Sequence, residues 1–155
     1  MIPLIVLVAV TLLARAVGQL RVPYLRDWPA AMRVGLAVMF FFTAAAHFNS
    51  MRPEMIAMVP PFVPNPGFMV TFTGICEIAG AIGLLIPRTR RLAAIALILL
   101  LVSVLPANIY AAQAGVEFRG APPTPLVPRI ALQALFIAAI WWAGVRNPRT
   151  KREPQ

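Results

Sequence analysis

His47, Glu77, Asn108, Arg129 and Gln133 are polar side chains set in stretches built mostly from Leu, Ile, Val, Ala and Phe. Glu77 lies nine residues from either end of the apolar run Phe68–Ile86. At 1.5 Å per helical residue that is about 14 Å deep, the middle of a hydrocarbon core. An ionised carboxylate there is costly unless it is paired, solvated or protonated. Such a group can exchange a proton with a bound molecule, and amides or an imidazole around it can hydrogen-bond a carbonyl. His47 falls about 6 Å from the outer end of its run, and Asn108 and Gln133 about 8 Å from theirs. Arg129 precedes Gln133 by four residues and Thr43 precedes His47 by four, so each pair shares a helix face.

Two arrangements account for this set. One is a buried hydrogen-bond network that fixes helix packing. The other is a small-ligand pocket opening outward, with Glu77 at its floor and Arg129, Asn108, Gln133 and His47 on its walls. Intramembrane ionisable groups favour the pocket. Gly74, Gly80 and Gly83 allow close helix approach, which turns Glu77 inward. Pro106 interrupts the helical ladder just before Asn108 and can present a carbonyl to the interior. Cys76 is the one cysteine, so neither an internal disulfide nor a dithiol pair can form, and it reads as inert packing.

The elements that hold these residues are membrane spans. Of 155 residues 60% are hydrophobic and 12% charged, too apolar for a soluble domain of this size. Five runs are long enough to cross a bilayer: Ile2–Leu20, Ala30–Met51, Phe68–Ile86, Leu92–Gln113 and Pro128–Val145. They lack the alternation of barrel strands. The net charge of +9 is distributed in clusters between them, the pattern of topology and not of a nucleic-acid-binding face.

Those clusters predict orientation. Arg15, Arg21, Arg26, Arg33, Arg88, Arg90, Arg91, Arg146, Arg149, Lys151 and Arg152 fall on one side, and only Arg52, Arg119 and Arg129 on the other. The positive-inside bias puts the first set, and the C-terminus, in the cytoplasm and the N-terminus outside. Charges follow the first apolar run where a cleaved signal would carry them before it, so Ile2–Leu20 reads as a retained helix. Tyr24, Trp28, Trp141 and Trp142 fall at the inner interface, as headgroup-level anchors. The outer segment Arg52–Gly67, with Pro53, Pro60, Pro61, Pro64 and Pro66 among Met55, Met58, Phe62 and Val63, excludes a continuous helix. A short helical or re-entrant piece at the outer interface is expected there.

From Arg33 to Trp142 the sequence resembles the DoxX-like family of bacterial membrane proteins. The resemblance rests on TAAAHF at Thr43–Phe48, MVPP at Met58–Pro61, TGICEIAG at Thr73–Gly80 running on to GLLIP at Gly83–Pro87, PANIY at Pro106–Tyr110, and the Arg129–Gln133 pair. It implies an all-α, four-helix transmembrane bundle over residues 30–145, with residues 1–20 an added N-terminal helix and 146–155 a basic cytoplasmic tail. It also implies an association with quinone and sulfur redox metabolism, and a shared placement of His47, Glu77, Asn108, Arg129 and Gln133.

The expected function is a redox-associated subunit of the cytoplasmic membrane that binds a quinone-like or other lipophilic molecule. The chain has no haem, flavin or metal motif, so an electron-carrying partner enzyme is expected beside the lipid bilayer. The alternatives are a ligand-free assembly protein and a small proton-coupled exporter, which at this length would act as a homo-oligomer.

Overall fold

The computed structural model describes residues 2–117, 120 and 125–146. Arg119 and the tail cations Arg149, Lys151 and Arg152 lie outside the described residues. Among the described residues there are helices and no strands, as lipid demands of an apolar chain whose backbone must satisfy itself. The helices are α1 (Ile2–Leu20), α2 (Trp28–Ala45), α3 (Arg52–Ala57), α4 (Pro66–Leu85), α5 (Arg90–Gln113) and α6 (Leu126–Ile140). A 3-10 turn, Pro23–Arg26, joins α1 to α2, and α6 runs on into a widened π-helical turn, Trp141–Arg146. Helices α1, α2, α4 and α5, and α6 together with its π-helical turn, are long and apolar enough to cross a membrane. Leu20, Leu92 and Val127 leave more than two thirds of their surface outward, which suits acyl chains and not water. This is a multi-pass membrane protein.

Local sequence explains most helix starts. Prolines stand in the first turns of α2, α3 and α4, where a missing N–H costs nothing. Asn65 takes a left-handed conformation just before α4, which asparagine tolerates better than most residues. The second helix ends at Ala45, short of the expected Met51. Three successive amides, those of Ala46, His47 and Phe48, bond back three residues and tighten the chain into turns. The short helix expected in the proline-rich outer segment is α3.

Helix α2 is the most enclosed, with nine of its 18 residues buried. Leu36, Met39 and Phe40 on it meet Leu84 of α4, Leu97 of α5 and Ile140 of α6 in one apolar core. Helices α4, α5 and α6 contact one another in chain order, and the π-helical turn comes back against α2. Helix α1 packs along α2 and the turn that joins them. Gly35 makes that last approach possible, because a Cβ there would collide with the Thr11 hydroxyl and the Leu7 carbonyl.

Candidate functional site

The apolar end of α2 delivers Thr43 from its final turn and His47 from the bend just beyond it. Across from them, α4 presents Thr73 and Glu77, four residues apart on one face. Thr43 Oγ1 donates to Glu77 Oε2 at 2.8 Å, and His47 Nε2 lies 3.7 Å from Glu77 Oε1. His47 Nδ1 sits 2.6 Å from the Val70 carbonyl, which can only accept, so Nδ1 carries a hydrogen and Nε2 faces the acid. Thr73 closes the group with its hydroxyl 3.3 Å from Nδ1. His47 is buried and the Glu77 side chain is 16% exposed. The ring fits because residue 74 is glycine. A Cβ there would stand 2.7 Å from His47 Cβ and 2.9 Å from the Phe48 ring.

This arrangement can store a proton in two ways. The Thr43 hydroxyl lies 2.8 Å from Glu77 and 3.1 Å from the Phe40 carbonyl, and it has one hydrogen to give. With Glu77 ionised, that hydrogen points to the carboxylate. With Glu77 protonated, the acid donates to Thr43 and the hydroxyl turns to Phe40. His47 Nε2 offers a second seat for the same proton.

The end of the group nearest α3 is clamped by Arg52. Its Nη1 donates to the His47 carbonyl at 2.9 Å and its Nη2 to the Gly67 carbonyl at 2.8 Å, tying the bend after α2 to the start of α4. Sequence reasoning counted Arg52 only as an outer cation and gave Thr73 no role. Their spacing, five residues after His47 and four before Glu77, is the signal that was there to be read.

Asn108 and Gln133 form a second pair, between α5 and α6. Asn108 Nδ2 donates to Gln133 Oε1 at 3.2 Å, and Gln133 Nε2 donates to the Leu101 carbonyl at 2.5 Å. That carbonyl is one residue before Val102, the residue whose i+4 partner would be Pro106, so the amide reaches the stretch that the proline perturbs. Arg129 stands in the first turn of α6, one turn before Gln133. Among the described residues, no hydrogen bond or ion pair joins Asn108 or Gln133 to His47 or Glu77. The set that depth alone places together is thus two separate ties.

Two grooves open elsewhere. One of about 340 Å³ lies between Pro60, Pro61 and Phe62 of the outer segment and Pro106, Ile109 and Tyr110 of α5. A larger one, about 670 Å³, runs along α4 and α5 past Cys76, Gly80, Gly83, Ala93 and Ser103. Neither is lined by Glu77 or His47.

At the arginine-rich end, Arg33, Arg90 and Tyr24, expected as topology charges and an anchor, form a third polar cluster. Arg33 and Arg90 are 3% and 2% exposed. Arg33 Nη1 donates to the Ala143 carbonyl at 2.9 Å, and its Nη2 to the Tyr24 hydroxyl at 3.0 Å. Arg90 Nη2 donates to the same hydroxyl at 3.3 Å. Ala143 belongs to the last described turn of the α6 run, so a guanidinium there meets the C-terminal, negative side of the helix dipole. Trp28 and Trp141 each lie under a guanidinium, that of Arg15 and of Arg146 respectively.

Residues 36–144 match a family described as a domain of unknown function, DUF8561. The chain belongs to this family. The match takes in His47, Glu77, Asn108, Arg129 and Gln133 and begins after α1, Tyr24 and Arg33. No curated protein and no solved structure matches the sequence.

Proposed function

We propose that this DUF8561 protein is a DoxX-like, redox-associated subunit of the cytoplasmic membrane that binds a quinone-like lipophilic molecule. The observation that carries the reading is the His47–Glu77 pair, an acid and a base 3.7 Å apart at the packed seam of two apolar helices. A quinone carbonyl needs a hydrogen-bond donor as it gains electrons and a proton as it is reduced. Glu77 can carry such a proton, Thr43 can serve either state of the acid, and His47 Nε2 is a second seat for the proton. The electrons come from a partner redox enzyme. In this reading the chain is a four-helix bundle, α2 and α4 to α6, with α1 added. It has five spans, the N-terminus outside and the basic C-terminus in the cytoplasm, as its charge distribution supports. The ligand site narrows to Glu77, His47, Thr43 and Thr73, while Asn108 and Gln133 staple α5 to α6.

The test is titration of the purified protein with a short-chain ubiquinone analogue. Glu77→Gln keeps the shape and removes the exchangeable proton. It should weaken binding about tenfold, the scale of one hydrogen bond to a charged group. Unchanged affinity in both Glu77→Gln and His47→Gln removes the proposal. If those variants lower only the melting temperature, the pair is a packing device and the chain an assembly protein. Loss of pH-driven cation transport in proteoliposomes on Glu77→Gln would instead make it an exporter.

A further inference from the structure

The His47–Glu77 pair is held from behind, and its two facing atoms are left to each other. Nδ1 of the ring is fixed on the Val70 carbonyl, and Oε2 of the acid by the Thr43 hydroxyl. Arg52 pins the His47 backbone to the start of α4 through the Gly67 carbonyl. Gly74 seats the ring close against α4, where a Cβ would collide with it. What remains is His47 Nε2 and Glu77 Oε1, 3.7 Å apart. A hydrogen on either atom would draw such a pair to about 2.7–2.9 Å, the length of a charge-assisted bond. At 3.7 Å they are not hydrogen-bonded. With Nδ1 carrying the hydrogen of the ring, Nε2 offers a lone pair, and the ionised carboxylate offers another. Two acceptors thus face each other across a gap that the ties behind them keep open.

A gap between two acceptors calls for a donor. A ligand carbonyl would bring a third acceptor to it. A ligand hydroxyl brings a hydrogen that both atoms can share in a three-centre bond. The Glu77 side chain is 16% exposed and that of His47 6%, so the acid is the open side of the pair. We infer that the gap takes a ring hydroxyl, so that the ligand form this state of the protein selects is the reduced quinol and not the quinone. The inference rests on the quinone-binding reading and adds the oxidation state of the ligand. The proton that Glu77 can carry then arrives on the ligand itself.

The experiment titrates the purified full-length protein, in the absence of oxygen, with one short-chain ubiquinone analogue in its oxidised and its reduced form. Wild type should bind the reduced form about tenfold more tightly, the scale of one hydrogen bond to a charged group. Glu77→Gln puts an amide where an acceptor stood, and the preference should shrink to within about twofold. His47→Gln also brings a donor to the gap and should do the same, which keeps the test open if either variant folds poorly. Gln133→Leu, at the other seam, should keep the preference. Equal affinity for the two forms in wild type, or a preference for the oxidised one, overturns the inference and leaves quinone binding standing. A preference unchanged in both Glu77→Gln and His47→Gln also overturns it, since the hydroxyl is then held elsewhere. Binding of neither form removes the quinone reading and this inference with it.

Discussion

The seam between α2 and α4 and the seam between α5 and α6 are each tied by one polar pair, and the pairs differ in kind. His47 and Glu77 can gain or lose a proton, while Asn108 and Gln133 cannot. The amide pair has good partners for its described bonds, a side-chain oxygen and a backbone carbonyl, and nothing about it changes with conditions. The acid–base pair stands just beyond hydrogen-bond range, with a threonine able to serve either state of the acid. A membrane protein that only needed to hold its helices together would do well with two amide pairs. A titratable pair at a glycine-lined seam is what the proposed site has and the staple lacks.

That contrast can be broken or sharpened by substitution. The largest effect belongs to Gly74→Ala, which places a methyl group against His47 and Phe48. Overpacking of this sort costs about 2 kcal/mol, and the melting temperature should fall by several degrees together with quinone-analogue affinity. Glu77→Gln comes next, with a loss near tenfold in affinity, about 1.4 kcal/mol, and a smaller change in melting. Gln133→Leu should behave in the opposite way. It removes interhelical hydrogen bonds worth about 1 kcal/mol, lowering the melting temperature while leaving affinity unaltered. If Gln133→Leu abolishes binding and Glu77→Gln does not, the roles of the two seams are reversed. Smallest is Arg52→Gln, about 0.5 kcal/mol at the half-buried bend, where a glutamine can still bond one of the two carbonyls, read as faster proteolysis between α2 and α4.

Much of this was legible in one dimension. The positions of Gly74, Glu77, Gly80 and Gly83, at three-residue steps, foretold which face of α4 turns inward. The matching depths of Asn108 and Gln133 foretold that they could meet. Depth says nothing of lateral order, however, so the division into two ties was hidden until the helices were placed side by side. The end of α2 was hidden for another reason. Residues 44–48 stay apolar apart from His47, and the clamp that holds the bend comes from Arg52, which bonds the His47 carbonyl and reaches across to that of Gly67. Arg33 and Arg90 read as charges near span ends, where snorkelling is the ordinary fate of a long cation. What buries Arg33 is a carbonyl 110 residues away.

That separation gives the molecule a timetable. Each helix mainly touches the one made just before it, so most of the structure can assemble as it leaves the ribosome, step by step. The return of the α6 run onto α2, sealed by the grip of Arg33 on Ala143, is the exception, since it must wait until residue 143 has been made. Until the last turn arrives, a guanidinium stands ready in an unfinished ring, and its capture marks the moment at which the ring closes.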